Sequence, residues 1–173
     1  MLHRLRSLSL TAALTVLAAA PLMAAWPGPP WISIELPVNP FDTATRGAFL
    51  LVHAFHHGSA VSFPIDGTAE GLVDGERRSI KLEFTPTGRE GAYALRKQWP
   101  SEGTWTLVIR VVPGDHGESS SATAVVDLGP NGEVASVRVP THRQGEWTMP
   151  SPVSLADIDA ALRARVGALA RKS

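Results

Sequence analysis

Histidines are the side chains here whose type and spacing could do chemistry. His53, His56 and His57 fall within five positions, and His116 and His142 stand further along. Imidazole nitrogens bind copper, zinc or nickel. These five are therefore the candidate metal ligands, and copper or zinc is the alternative to a protein with no cofactor. Geometry limits how they could cooperate. On a strand rising about 3.3 Å per residue, His53 and His57 share a face but stand roughly 13 Å apart, while His56 points the other way. On a helix, His53 and His57 would sit one turn apart and could chelate. The run AFLLVHAFHH is held to ten residues by Gly47 and Gly58, and its neighbours read as strands, so a strand is expected. A site then needs one of these histidines with a remote ligand such as His116, His142, Met149 or Asp115. The plainer reading makes His53 a packing residue and His56 and His57 a solvated strand end.

Other chemistries find little footing. There is no cysteine, which removes thiolate zinc sites, iron–sulfur clusters and disulfides. No Gly-x-Ser-x-Gly elbow and no Gly-x-x-x-x-Gly-Lys phosphate loop occurs. Glu70, Asp74, Glu76, Glu83 and Glu90 read as turn or solvent-face acids. Residues 127–133 loosely resemble a calcium loop, but Pro130-Asn131-Gly132 accounts for itself as a turn. The residues point to a non-enzymatic protein.

The elements that must position these side chains are short strands. Residues 31–36 alternate, with Ile32, Ile34 and Leu36 on one face, and residues 79–84 set Ile80, Leu82 and Phe84 inward. Residues 91–98 place Tyr93 and Leu95 together, and 104–112 place Trp105, Leu107, Ile109 and Val111 together. Residues 122–128 and 134–139 form a pair joined by Gly129-Pro130-Asn131-Gly132. A weaker strand is expected over 60–73, interrupted at Asp66-Gly67. No helix of crossover length separates them, so the expectation is an all-β, immunoglobulin-like antiparallel sandwich of seven to nine strands. Tyr93 and Trp105 are expected to bury the largest areas, while Trp26, Trp31 and Trp147 are the tryptophans expected at the surface.

One C-terminal α-helix closes the chain. Ser154 with Asp157 three residues on resembles a capping box. Leu155, Ile158, Leu162, Val166 and Leu169 form an apolar stripe that either docks on the sandwich or, with Pro150, Ser151 and Pro152 as a tether, meets a partner. The division expected is 1–25 leader, 26–150 sandwich and 151–173 helix.

The leader follows from order of residue types. Arg4 and Arg6 precede about 14 apolar or small residues over 7–20, and Pro21 breaks the run, as in a secretory signal peptide. A membrane-spanning helix needs about 20 continuous apolar residues, so no transmembrane segment is expected after cleavage. The 173-residue chain has 16 basic and 16 acidic side chains and is 44% apolar. The leader supplies two of the arginines, so the remainder is slightly acidic, which argues against nucleic acid as a partner. No Asn-x-Ser/Thr acceptor occurs, and with the missing cysteines this favours a bacterial exported protein, periplasmic or secreted.

The pattern Gly91-x-Tyr93-x-Leu95 followed by Gly103-x-Trp105-x-Leu107-x-Ile109 resembles the paired strands near the end of exported immunoglobulin-like modules of the YtkA-like and CopC-like kind. The resemblance covers residues 31–112. It implies the fold, and it keeps copper in view because some of those modules bind copper or accompany oxidase assembly. The initial histidine of a CopC-like copper site has no counterpart here, where Trp26 or a neighbour would begin the mature chain. The reading as a whole is an exported binding or interaction module with an unknown envelope protein as partner. The alternative is a periplasmic protein that binds copper or zinc through its histidines.

Overall fold

A computed structural model describes residues 28–113 and 121–171, the side chains of residues 169 and 170 excepted. The leader, Trp26, Asp115 and His116 lie outside the described residues. The first strand is β1 (Trp31–Glu35), and β2 (Leu50–His56) runs antiparallel beside it. After them come β3 (Ser59–Ala60), β4 (Ile65–Val73), β5 (Glu76–Lys81), β6 (Phe84–Pro86), β7 (Ala92–Leu95) and β8 (Thr104–Val111). The chain continues through β9 (Ala122–Leu128), β10 (Val134–Arg138), β11 (Thr141–Gln144), β12 (Trp147–Pro150) and the helix α1 (Leu155–Ala170).

One sheet has the order β1-β2-β7-β6, with β3 on β2, and the second has β10-β9-β8-β4-β5. All the pairings are antiparallel. These orders correspond to the A-B-E-D and G-F-C arrangement of an immunoglobulin-type sandwich, extended at both edges of the second sheet. β2 is central to its sheet, as its two apolar faces suggest. Leu50, Leu51 and Val52 are fully buried in succession.

The core lies between the sheets. Ile32, Val52 and Leu95 from one meet Leu107, Ile109 and Val126 from the other. Trp105 is buried as expected, and a close approach makes room for it: its ring lies over Gly71, its cross-strand neighbour, where a Cβ would stand 2.5 Å from the ring. Tyr93 is only half-buried, and its hydroxyl donates to the Phe63 carbonyl at 2.9 Å. The larger contribution comes from Trp99, buried and edge-on to Phe49 with ring centroids 5.1 Å apart. Residues 99–103 do not close a hairpin, because β7 and β8 belong to opposite sheets.

There are twelve strands among the described residues, not seven to nine. The expected strand over 60–73 is two strands, and its interruption at Asp66-Gly67 does not occur. Both residues lie inside β4, where Asp66 meets Arg110 at 2.8 Å and Gly67 admits the Val108 carbonyl. Residues 79–84 are divided at buried Leu82, where the chain leaves the second sheet (β5) for the first (β6). The remaining two strands form a hairpin of their own, β11–β12.

α1 covers the outer face of the second sheet. Ile158 and Leu162 are buried against Leu72 and Val125, with Val108 and Val153 beside them. The expected stripe is narrower than its sequence, since Leu155 and Val166 are exposed at either side of the contact. The cap forms as anticipated: the Asp157 N–H donates to Ser154 Oγ at 3.1 Å, and the Ser154 hydroxyl donates to the Asp157 carboxylate at 2.6 Å. No helix among the described residues is long and apolar enough to cross a membrane.

Candidate functional site

The histidine run sits at the end of β2, and the strand ends with it. His53 projects from mid-strand and bonds through Nε2 to Glu35 Oε2 on β1 at 2.8 Å. His56 is the last strand residue, and its Nε2 donates to the Gly28 carbonyl at 2.8 Å. His57 has left the strand with φ of 50°, and Gly58 with φ of 79° completes the reversal into β3. A regular strand would hold neighbouring side chains on opposite faces. The reversal instead brings the rings of His56 and His57 to 4.2 Å between centroids. His56 also lies near Phe63, with centroids 5.8 Å apart.

The structure therefore brings His56 and His57 together and assigns His53 to a carboxylate. His142 is on β11, where its Nδ1 lies 3.1 Å from Ser151 Oγ. Among the described residues, no three His, Asp or Glu side chains gather closely enough to hold a metal ion.

The acids divide differently from their sequence reading. Glu70 is not on a solvent face: it is 2% exposed in the middle of β4, accepting from Ser79 Oγ at 2.8 Å and pairing with Arg77 at 2.8 Å. Arg77 also pairs with Asp159 of the helix, so one guanidinium links β4, β5 and α1. A second helix anchor is Arg165. It donates to Thr106 Oγ1 at 2.8 Å, Asp127 at 3.3 Å and the Trp105 and Leu128 carbonyls. Burial pushes the Asp127 carboxyl up, but the hydroxyls of Thr106 and Ser136 and the guanidiniums of Arg165 and Arg138 outweigh it and hold the group below the ordinary carboxylate range. A small recess of about 310 Å³ adjoins Arg165, but that cation is already committed to the sheet.

A larger recess, of about 700 Å³, opens between the start of β1 and the β11–β12 hairpin. Its walls include Pro29, Trp31, His142, Gln144, Trp147 and Met149. Trp147 is 75% exposed and Trp31 is 38% exposed, in agreement with the surface reading of both. Among the described residues β11 and β12 pair only with each other, so each leaves one backbone edge without a neighbouring strand there. The hairpin turns at Gly145, whose φ of 62° suits glycine. Sequence reasoning did not identify this element. The available signal was Gly145 in a polar stretch, with Trp147 two residues on.

Compared with models of protein families, with curated proteins and with solved structures, the chain matches none.

Proposed function

We propose that this chain is a non-enzymatic, exported binding module of the bacterial envelope, periplasmic or secreted, which holds an extended polypeptide partner at the recess beside β11–β12. The observation that carries this reading is the convergence of two exposed tryptophans, Trp31 and Trp147, on one recess of about 700 Å³. Recesses of roughly 300–1,000 Å³ are the size of binding sites, and exposed tryptophans are favoured anchors in protein interfaces. The unpaired edges of β11 and β12 support a polypeptide occupant, because an extended chain can add to such an edge by main-chain hydrogen bonds. The buried polar groups support a role without catalysis. Glu70, Asp127 and Arg165 are engaged in holding β-sheet and helix together, and among the described residues no buried side-chain nitrogen or oxygen lacks a partner.

Site-specific photo-crosslinking in the native host tests this. A benzoylphenylalanine at Gln144, on the recess wall, should yield one polypeptide adduct that a probe at exposed Arg89 does not. Adding Trp31→Ala should remove it. With the identified partner purified, Trp147→Ala should weaken binding at least about tenfold, equal to about 1.4 kcal/mol. Equal labelling from positions 144 and 89 would overturn the proposal.

A further inference from the structure

We infer that the recess face of the β11–β12 hairpin binds a soft monovalent metal ion, Cu(I) or Ag(I), between His142 and Met149. The register places His142 opposite Met149 and Gln144 opposite Trp147. Residues two apart on a strand share a face, so these four side chains form one patch, and all four line the recess. Side chains directly opposite each other start from Cβ atoms about 4.5–5.5 Å apart. With bond lengths of the order that zinc shows, about 2.0 Å to nitrogen and 2.3 Å to sulfur, the donors can stand up to about 4.3 Å apart, and the three rotatable bonds of methionine can close that gap.

The ring of His142 is already oriented for such a role. Its Nδ1 lies 3.1 Å from Ser151 Oγ, and Ser151 is fixed in turn by its own N–H, which donates to the Pro140 carbonyl at 2.8 Å. Metal-binding imidazoles are commonly held in this way, with one nitrogen on a neighbour and the other free for the ion. Nε2 of His142 has no hydrogen-bond partner among the described residues.

The donor set selects the ion. Thioether sulfur is a soft donor that favours Cu(I), whereas carboxylates and carbonyls favour hard divalent ions. No Asp or Glu lines the recess. Trp147 lies one strand step from Met149 on the same face, and its exposed ring supplies a π surface that attracts a cation. His56 and His57 offer only imidazoles, one of them bonded to Gly28.

The inference does not depend on the polypeptide partner: crosslinking at Gln144 and metal binding can each fail alone. The test is titration of the purified chain with Cu(I), kept reduced by ascorbate, against a bicinchoninate competitor, followed also by tryptophan fluorescence. One ion per chain is expected, with quenching of the fluorescence. His142→Ala should abolish binding, and Met149→Leu should weaken it at least about tenfold. Trp147→Phe should retain the stoichiometry and lose most of the quenching. Unchanged circular dichroism and melting in the variants establish that the fold persists, as expected for a surface hairpin. Failure to compete with bicinchoninate would overturn the inference. So would binding that survives His142→Ala and Met149→Leu but is lost in His56→Ala or His57→Ala.

Discussion

The second sheet and the β11–β12 hairpin are both antiparallel, yet they treat their side chains in opposite ways. The central strands of the sheet, β4, β8 and β9, are covered on both faces. Trp105, Leu107, Ile109 and Val111 of β8 point into the sandwich, while Val108 of the same strand lies beneath the helix. Its polar residues are absorbed too: Thr106 and Asp127 meet Arg165, and Glu70 meets Arg77. The hairpin covers nothing completely. All four residues of β11 are exposed, and Trp147 of β12 is among the most exposed large apolar side chains described. Burial of a large apolar group contributes about 1.5–3 kcal/mol, and Trp147 forgoes most of that. The difference separates the elements that carry stability from the one proposed to carry binding. The sheet and helix hold the fold, and the hairpin presents side chains outward.

The largest effect should come from the seat of the helix. Leu162 is fully buried against Leu72 and Val125, so Leu162→Ala should lower unfolding free energy by about 2–5 kcal/mol, measured by urea denaturation. A loss under about 0.5 kcal/mol would mean that the helix contributes no more than the hairpin, and the contrast would fail.

Asp127 should give a smaller, pH-dependent effect. At neutral pH, Asp127→Asn should cost roughly 1.5–3 kcal/mol, the range for hydrogen bonds to a charged group, because Arg165 would lose its carboxylate. The sign follows from the lowered pKa of Asp127 in the folded state. A carboxyl that ionises more readily when folded stabilises the protein above its unfolded pKa of about 3.9. That contribution disappears as pH falls through the lower folded value. The gap between wild type and Asp127→Asn should therefore narrow as urea midpoints are measured progressively below about pH 4. A gap constant with pH would show that shape, and not charge, holds the helix there.

Much of the sandwich was legible because alternation and burial coincide in it. Ile32 and Ile34, and Trp105 through Val111, carry the period-two signal of strands with one face in the core. The outer face of the second sheet was harder to read. Thr68, Glu70 and Leu72 alternate with Ala69 and Gly71, so Glu70 looked solvent-facing, and only the helix laid across that face, with Arg77 and Asp159, makes it buried. Arg165 falls late in the helix, where any cation suits the dipole, but the sheet carbonyls it reaches lie about sixty and thirty-seven residues earlier and have no local signature. The histidine geometry turned on one backbone angle, the positive φ of His57, which neighbouring Gly58 hinted at. The hairpin had the weakest signal. Thr141-His142-Arg143-Gln144 contains no apolar residue, and alternation can only announce a strand that buries one face.

The smallest expected effect is the one that tests the hairpin side of the contrast. Trp147→Ala removes the largest side chain type available, yet at 75% exposure most of that surface already meets water in the folded state. Surface substitutions away from packing and capping sites stay within about 0.5 kcal/mol, and Trp147→Ala should do the same in urea denaturation. Its effect on partner binding, at least about tenfold or about 1.4 kcal/mol, should exceed that. If Trp147→Ala instead destabilised the free chain by 2 kcal/mol or more, on the scale of Leu162→Ala, the tryptophan would belong to the fold. Its exposure in the recess would then no longer argue for recognition.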